Sequence, residues 1–169
     1  MSKTYTQIHL QLVFAVKYRN AVIDQTWKPE LYKYITGIVR NNNHKILAIN
    51  GMPDHVHILV GMRPTQSVSG LLKDIKGSSS KWINDKKFCS ERFEWQEGYG
   101  AFSYGASQVD YVIEYIKNQE AHHQKKTFIE EYTGFLKIFK IDFEEAFIFK
   151  ELERFFQFNL QNILAINKI

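Results

Sequence analysis

Two short apolar segments on either side of a turn constrain the fold of this chain more than any other feature. The segments are HKILAIN at residues 44–50 and HVHILVGM at residues 55–62, and the intervening GMPD contains the turn-forming residues glycine, proline and aspartate. This pattern predicts two antiparallel strands joined by a short connection. Because side chains alternate between the faces of a strand, His55 and His57 share one face while Val56 points to the other.

Hydrophobic periodicity predicts two further strands and three helices. Alternation in TQIHLQLVFAV predicts the first strand, and the glycine-interrupted FEWQEGYGAFSYG predicts a bent last strand. Apolar residues at helical spacing predict helices in TWKPELYKYITGIVRNNN, SVSGLLKDIKGSSSKWIND and SQVDYVIEYIKNQEAHHQKKTFIEEY. We expect the last of these to be one long helix that begins with a variant capping box formed by Ser107 and Asp110.

The predicted element order, β-α-β-β-α-β-α, is that of an α+β domain with the split β-α-β arrangement of ferredoxin-like (RRM-like) folds. We expect a mainly antiparallel sheet with helices on one face and the other face free to hold a ligand. Residues 1–133 are assigned to this domain. The phenylalanine-rich residues 134–169 are predicted to form a helical extension that covers apolar surface of the domain or of a partner chain.

Composition narrows the chemistry and the location. The single cysteine, Cys89, excludes an internal disulfide and a cysteine-rich zinc site, so a metal would need nitrogen and oxygen ligands. The N-terminus lacks the pattern of a signal peptide, and no apolar run approaches the ~20 residues needed to cross a bilayer. We therefore expect a cytoplasmic protein without membrane contact. The net charge of +4 is compatible with a polyanionic partner but does not require one.

The histidine pair becomes more informative beside the last predicted helix. Residues i and i+2 of a strand lie roughly 6–7 Å apart, so two imidazoles there can reach one ion but need a further ligand. Tyr115 and Gln119 are one helical turn apart, and the amide oxygen of Gln119 suits Mg²⁺ or Mn²⁺. The opposite, buried stripe of this helix is predicted to contain Val109, Val112, Ile113 and Ile116.

Several separate motifs resemble one known family. PDHVHILV, LLKDIKGSSSKWI, WQEGYGAFSYGAS and VIEYIKNQEAHH occur in the order typical of single-tyrosine HUH transposases, which move bacterial insertion sequences as single-stranded DNA. HUH stands for histidine, hydrophobic residue, histidine. HLQLVFAVKYR is similar to the first strand of that family and its basic end. The resemblance covers about residues 5–133 and is more specific than the histidine pair alone.

The resemblance implies roles for four residues. His55, His57 and Gln119 match the ligands of a Mg²⁺ or Mn²⁺ ion, and Tyr115 matches the catalytic nucleophile. The implied reaction is attack by the Tyr115 oxygen on a DNA phosphate, which leaves a free 3′-hydroxyl and a 5′-phosphotyrosine until another 3′-hydroxyl rejoins the strand. The general base and the roles of the two histidines that follow Gln119 stay open.

The resemblance also implies partners and a location. The expected substrate is single-stranded DNA with hairpins at the element ends, and the expected location is the bacterial nucleoid. Relatives form homodimers in which the tyrosine helix of one subunit can complete the histidine site of the other. Whether Tyr115 acts in this way is not decided by the sequence.

Basic and aromatic residues supply candidate DNA contacts. The candidates for phosphate contacts are Lys17, Arg19, Lys73, Lys76 and Lys81. The candidates for stacking on unpaired bases are Trp95, Tyr99, Phe102 and Tyr104. A solvated helix face and packing of the last strand explain the same residues, so both interpretations stay open.

Two other functions also stay open. An inactive relative would bind structured DNA or RNA without cutting it, and a metal-dependent phosphoesterase would hydrolyse a soluble substrate with Tyr115 in a structural role. The joint presence of His55, His57, Tyr115 and Gln119 favours the transposase, because a retired enzyme would more readily have lost one of them. The chain also lacks the GxxxxGK[ST] phosphate loop, which agrees with a strand exchange that needs no nucleotide hydrolysis.

Overall fold

Four antiparallel strands form a sheet in the order β2-β3-β1-β4 in the computed structural model, which describes residues 5–144 and Ile148. The strands are β1 (His9–Ala15), β2 (Lys45–Met52), β3 (His55–Gly61) and β4 (Gly100–Tyr104). With a helix between β1 and β2 and another between β3 and β4, this arrangement confirms the predicted ferredoxin-like α+β fold. The predicted hairpin is formed by β2 and β3.

The pairing of β3 with both β1 and β2 decides which face each of its side chains occupies. His57 lies opposite Val13 of β1 and opposite Asn50 of β2. Val56 points to the other face, where it is 0% exposed. The predicted division of β3 into a histidine face and a valine face is therefore confirmed.

Two helices cover the valine face. α1 (Lys28–Asn41) has a proline in its first turn, and α2 (Val68–Lys86) begins after Ser67, whose hydroxyl accepts the Gly70 N–H at 3.1 Å. The apolar sides of both helices pack with the sheet into one core. Its fully buried members include Leu12, Leu31, Ile35, Ile58, Leu71 and Ile75.

The histidine face also carries a helix, so the expectation of a free face is wrong. α3 (Val109–Lys117) packs on this face through Val112 and Ile116, which form a second cluster with Leu59 and Ala48. The apolar stripe predicted for this helix is confirmed, since it is this stripe that meets the sheet. Burial of the stripe leaves Tyr115 of α3 and the chain that follows this helix beside the two histidines.

The last predicted helix is divided into three, so the expectation of one long helix is wrong. α4 (Gln119–His123) and α5 (Phe128–Ile138) follow α3, and Asn118 separates α3 from α4 with a non-helical ψ of 24°. Asn50 of β2 donates from Nδ2 to the Lys117 carbonyl at 2.9 Å. This contact satisfies the end of α3 from outside the helix, so the chain can change direction there without leaving that carbonyl unpaired.

The start of α3 also differs from the prediction. Residues Ala106–Gln108 form a 3₁₀ turn, in which Gln108 Oε1 accepts the Gly105 N–H at 3.0 Å. No side chain caps α3 itself. The predicted capping box of Ser107 and Asp110 is therefore wrong, because the turn already occupies the position that a cap would need.

The predicted bent strand is confirmed in two parts. Trp95 forms an isolated bridge with Val16, and β4 resumes the pairing with β1 at Gly100. Gly98 lies between the two parts with φ of 78°, a backbone conformation that favours glycine. The bend keeps Trp95 in the main core while β4 completes the edge of the sheet.

The chain divides into two compact units after Phe128. The described part of the second unit contains most of α5 and the residues up to 144. Apart from Ile148, the extension predicted beyond residue 144 lies outside the described residues, and the assignment of residues 134–169 stays a prediction. Within the described residues, no helix combines the length and hydrophobicity that crossing a bilayer requires.

Gly51 provides a test of the hairpin that carries the histidines. A Cβ atom at this position would lie 2.1 Å from the His55 carbonyl oxygen and 2.8 Å from Val56 Cα. Both are backbone atoms of β3, so they cannot yield without distorting the strand. We expect Gly51→Ala to lower the free energy of unfolding by about 2–3 kcal/mol, measured by urea denaturation.

The matched control is Gly37→Ala in the interior of α1, where an added Cβ would meet nothing within 4 Å. This variant is expected to raise the free energy of unfolding by about 0.5–1 kcal/mol, because alanine favours the helix over glycine. A Gly51→Ala variant as stable as the wild type would contradict the close approach of the two strands.

Candidate metal and nucleophile site

Both histidines of β3 are almost completely buried. His55 is 1% exposed and His57 is 0% exposed, and their ring centroids lie 5.1 Å apart. A buried imidazole is costly unless its nitrogens find hydrogen-bond partners. The partners of each ring therefore indicate which nitrogen carries the proton and which can serve as a ligand.

Asp54, in the hairpin turn, holds His55. Its Oδ1 lies 2.7 Å from His55 Nδ1, and its Oδ2 accepts from Arg19 Nε at 2.9 Å. Burial raises the pKa of Asp54, but the hydrogen bond and charge of His55, together with the Arg19 guanidinium, outweigh it and lower the pKa to about 2. An ionised carboxylate only accepts, so His55 keeps a proton on Nδ1, and in the neutral ring Nε2 is the nitrogen that can serve as a ligand.

Arg19 reaches Asp54 through a strained turn after β1. Tyr18 and Arg19 both have left-handed φ angles, 57° and 58°, a conformation that costs roughly 1–2 kcal/mol for each non-glycine residue. The turn brings the guanidinium to the carboxylate and over the Phe128 ring, 4.3 Å from its centroid. Arg19, a predicted phosphate contact, therefore uses its charge to hold a neighbour of His55.

Gln11 of β1 contacts His57 at Nδ1, the same ring nitrogen at which Asp54 contacts His55. Its Nε2 lies 2.9 Å from His57 Nδ1, and its Oε1 lies 2.9 Å from the Tyr104 hydroxyl of β4. Gln11 is 0% exposed. Sequence reasoning gave this residue no role, although a polar residue inside an alternating apolar strand was the available signal.

His123 of α4 connects the histidine pair to Gln119. Its Nε2 lies 3.1 Å from His55 Nε2 and 3.1 Å from Gln119 Oε1, and Gln119 is 0% exposed. Ring nitrogens of His55, His57 and His123 all lie within 4.8 Å of one another. These imidazole nitrogens and one amide oxygen suit a divalent cation. The structure thus brings together the three ligands predicted from sequence and adds His123.

Tyr115 lies beside the same pair of histidines. Its ring centroid is 6.3 Å from that of His57, and its hydroxyl is 3.2 Å from His122 Nε2. Tyr115, before the break at Asn118, contacts His122 of α4. Gln119, after the break, contacts His123 of the same helix. The four residues singled out from sequence therefore surround one location, and the two histidines that had no assigned role line it.

Most of the lysines predicted to contact DNA are engaged within the chain. Lys17 pairs with Glu94 at 2.7 Å, and Lys81 pairs with Asp85 at 2.5 Å. Lys76 donates to the carbonyls of Gln96 and Gly98, where it secures the bent strand, and burial lowers its pKa. Lys73 is exposed on α2, and none of the ion pairs among the described residues involves it. The phosphate role stays a prediction for these residues.

The aromatic candidates also differ in accessibility. Trp95 is 8% and Phe102 is 1% exposed, so both serve the interior in this structure. Tyr104 is occupied by its contact with Gln11, whereas Tyr99 is 41% exposed. Among these four, Tyr99 is the side chain that a base can reach without rearrangement.

Comparisons with known proteins agree with the motifs around this site. The family described as "Transposase IS200 like" matches residues 4–119, a span that includes β1 to β4, α3 and the first residue of α4. The chain belongs to the IS200-like transposase family. The match contains His55, His57, Tyr115 and Gln119, and it ends before His122 and His123.

Two relatives illustrate the extent of the similarity. The ISDra2 transposase TnpA of Deinococcus radiodurans is 31% identical over 75 residues, which cover 44% of this chain and 54% of that protein. The transposase for insertion sequence element IS200 of Salmonella typhimurium is 32% identical over 117 residues, which cover 64% of this chain and 74% of that protein. The chain thus spans about half the length of the first relative.

Two solved structures share the fold of this family member. A crystal structure of a Deinococcus radiodurans protein described as a transposase superposes with a TM-score of 0.56 at 24% identity, covering 70% of this chain and 98% of that one. A REP-associated tyrosine transposase bound to a REP hairpin also gives a TM-score of 0.56, at 15% identity and 73% coverage of both chains. At these identities the similarity establishes the fold alone.

Asp54→Asn tests the arrangement that holds His55. The substitution keeps the shape of the side chain but removes the charge that pairs with Arg19, and it leaves one acceptor oxygen where His55 Nδ1–H and the Arg19 guanidinium now use two. We expect the free energy of unfolding at pH 7 to fall by about 1–3 kcal/mol, as for a partly buried hydrogen-bonded charge. Urea denaturation monitored by circular dichroism measures this change.

Asp85→Asn is the matched control, because its ion pair with Lys81 is exposed, with side chains 62% and 76% accessible. An exposed pair contributes little, so this variant should lose less than about 0.5 kcal/mol. Equal losses in the two variants would contradict a special role for Asp54 in supporting the site.

Proposed function

We propose that this protein cuts and rejoins single-stranded DNA through a covalent bond to Tyr115, with a divalent cation held by His55, His57 and Gln119. The observation that carries the proposal is the position of the Tyr115 ring, 6.3 Å from the His57 ring, in a chain of the IS200-like transposase family. A tyrosine beside a histidine cluster combines a nucleophile with ligands for a cation, which is the chemistry that phosphodiester transfer requires.

The residues around Tyr115 account for the transfer step. Its oxygen attacks the DNA phosphorus while the bond from phosphorus to the 3′ oxygen breaks, which leaves a 5′-phosphotyrosine. The phenolic proton passes to His122 Nε2, its hydrogen-bond partner at 3.2 Å, and the departing 3′ oxygen takes a proton from water. In the reverse step a DNA 3′-hydroxyl displaces the tyrosine, so one ester replaces another and no nucleotide is consumed.

The donor set bears on the identity of the cation. When bound, the cation would polarise the phosphate and stabilise the charge that develops on it. Mg²⁺ prefers oxygen ligands, whereas Mn²⁺, as a transition metal, accepts imidazole nitrogens together with an amide oxygen. Imidazoles of His55 and His57, with His123 as an additional nitrogen donor, therefore favour Mn²⁺ over Mg²⁺.

The substrate is proposed to be a hairpin-forming single strand. This inference is supported by the REP-associated tyrosine transposase that shares the fold, since that protein was solved bound to a REP hairpin. Exposed Lys73 and Tyr99 are the candidates for contacts to phosphate and base. Such a substrate would place the protein on bacterial DNA in the nucleoid.

A covalent-adduct assay tests the proposal. The protein is incubated with Mn²⁺ and hairpin-forming single-stranded oligonucleotides from its own flanking DNA, and adducts are separated on a denaturing gel. We expect an adduct with the wild type, none with Tyr115→Phe and none after chelation of the cation. Tyr111→Phe is the matched control, because Tyr111 lies one turn earlier on α3, is 75% exposed and should leave the adduct unchanged.

Other results would redirect the assignment. An adduct formed by Tyr115→Phe would exclude Tyr115 as the nucleophile. Hydrolysis of small phosphodiesters without any adduct would indicate a phosphoesterase, and oligonucleotide binding without cleavage would indicate an inactive binding protein. Each of these outcomes contradicts the proposed strand transfer.

We further propose that Tyr115 acts with the histidines of its own chain. The resemblance implies a homodimer in which a tyrosine can serve the partner subunit, but here Tyr115 and His57 of one chain already lie side by side. Tyr115→Phe and His57→Ala chains, co-expressed with different tags and purified through both tags, should form no adduct. Action across a dimer predicts the opposite, an adduct on the His57→Ala chain.

A further inference from the structure

Gln11 contacts His57, and Tyr104 contacts Gln11, and the family resemblance assigned neither residue a role at the cation site. Gln11 is fully buried and faces Leu59 across the β1–β3 ladder, so it lies diagonally next to His57 on the same sheet face. Its amide contacts His57 Nδ1 through Nε2 and the Tyr104 hydroxyl through Oε1, each at 2.9 Å. Whether the Gln11 amide donates to Nδ1 or accepts from it decides which nitrogen of a neutral His57 ring carries the proton.

In the observed orientation the Gln11 amide nitrogen donates to His57 Nδ1. A nitrogen that accepts a hydrogen bond carries no proton, so the neutral His57 ring must be protonated on Nε2. A protonated ring nitrogen cannot bind a cation. The observed arrangement therefore disfavours the form of His57 that the proposed cation site requires.

Rotation of the Gln11 amide by about 180° exchanges the positions of its oxygen and nitrogen and so favours the other tautomer of His57. Oε1 then faces His57 and accepts a proton from Nδ1–H, so Nε2 presents its lone pair to the cation. Nε2 of the amide then faces Tyr104, whose hydroxyl can accept as well as donate. Burial raises the pKa of Tyr104 to about 12, so the hydroxyl remains neutral and keeps both abilities. Both orientations therefore contain two hydrogen bonds among the same three residues, with donors and acceptors exchanged.

We infer that Gln11 is a positioning residue whose amide, backed by Tyr104, turns over to set the ligand tautomer of His57 when the cation binds. This inference rests on the proposed function, because it concerns the same cation site. The comparison with His55 supports it: Asp54 can only accept, so His55 is held in the ligand tautomer at all times, whereas an amide can act either way. The tautomer of His55 is thus fixed by Asp54, whereas the tautomer of His57 changes with the orientation of the Gln11 amide.

Two substitutions separate the orientations. Gln11→Glu replaces the amide with a group of the same shape whose ionised form only accepts, so His57 should hold its proton on Nδ1 with or without a cation. Gln11→Leu removes the acceptor altogether. Measured by isothermal titration with Mn²⁺ at pH 8, we expect Gln11→Glu to bind more tightly than the wild type and Gln11→Leu to bind about tenfold more weakly, as for other groups that hold a ligand histidine.

The tautomer itself provides a readout that does not depend on catalysis. Long-range ¹H–¹⁵N spectra should show His57 protonated on Nε2 in the cation-free wild type and on Nδ1 after addition of diamagnetic Mg²⁺. The Gln11→Glu variant should show Nδ1 protonation in both conditions. Circular dichroism melting confirms that each variant is folded, and Gln11→Glu retains a test if Gln11→Leu does not fold.

Gln66→Leu is the matched control. Gln66 contacts another buried histidine, His44, at 2.8 Å, and neither residue belongs to the proposed site. This variant should bind Mn²⁺ as the wild type does.

Equal Mn²⁺ affinities in the wild type and both Gln11 variants, or an unchanged tautomer of His57 on cation binding, would overturn the inference. A wild type that binds neither cation would instead overturn the cation site of the proposed function, while the cation-free spectra of wild type and Gln11→Glu still test whether Gln11 controls His57.

Discussion

The register of β3 between β1 and β2 is the constraint on which the site depends. Because side chains alternate along a strand, a shift of one residue would turn His55 and His57 into the core and Val56 towards α3. The register is enforced from both sides, since the valine face packs against α1 and α2 while Leu59 packs against α3. The close contact of Gly51 with the His55 backbone secures the hairpin at the end where the histidines lie.

The two histidines occupy neighbouring positions on one strand, yet their surroundings differ in a way that matters for ligand chemistry. His55 is held by an ionised carboxylate that is itself paired with Arg19, so its Nδ1 carries the proton that the carboxylate accepts. His57 is held by an amide, which can donate or accept. A site built in this way has one ligand ready before any cation arrives and a second whose readiness depends on a neighbouring side chain.

Hydrophobic periodicity was sufficient to predict the four strands, the two helices of the valine face and the buried stripe of α3. These features depend on local spacing, because an element must bury its apolar side whatever the details of its neighbours. The expectation of one long helix failed for the opposite reason. Asn118 interrupts that helix. The last carbonyl of α3, at Lys117, accepts its hydrogen bond from Asn50 of β2, 67 positions earlier in the chain.

The phosphate contacts expected of Lys17, Arg19 and Lys76 show the same limit. Their charges are visible in the sequence, but their partners lie elsewhere in the chain, at Glu94 for Lys17 and at Asp54 for Arg19. A cation that is already paired is a weaker candidate for a phosphate contact than an exposed one such as Lys73. Sequence shows that a charge exists, whereas its availability depends on packing.

By itself, the sequence determined the fold class, the shared face of His55 and His57, and the motifs that indicate the IS200-like transposase family, since these depend on residue identity and local periodicity. Only the tertiary structure decided that His123 joins His55 to Gln119, that Gln11 holds His57 and that Tyr115 lies beside the histidines of its own chain. Apart from the contact between Gln119 and His123, which lie one turn apart within α4, these contacts join residues that are far apart along the chain. Such contacts arise from the packing of strands and helices against one another, which no local pattern records.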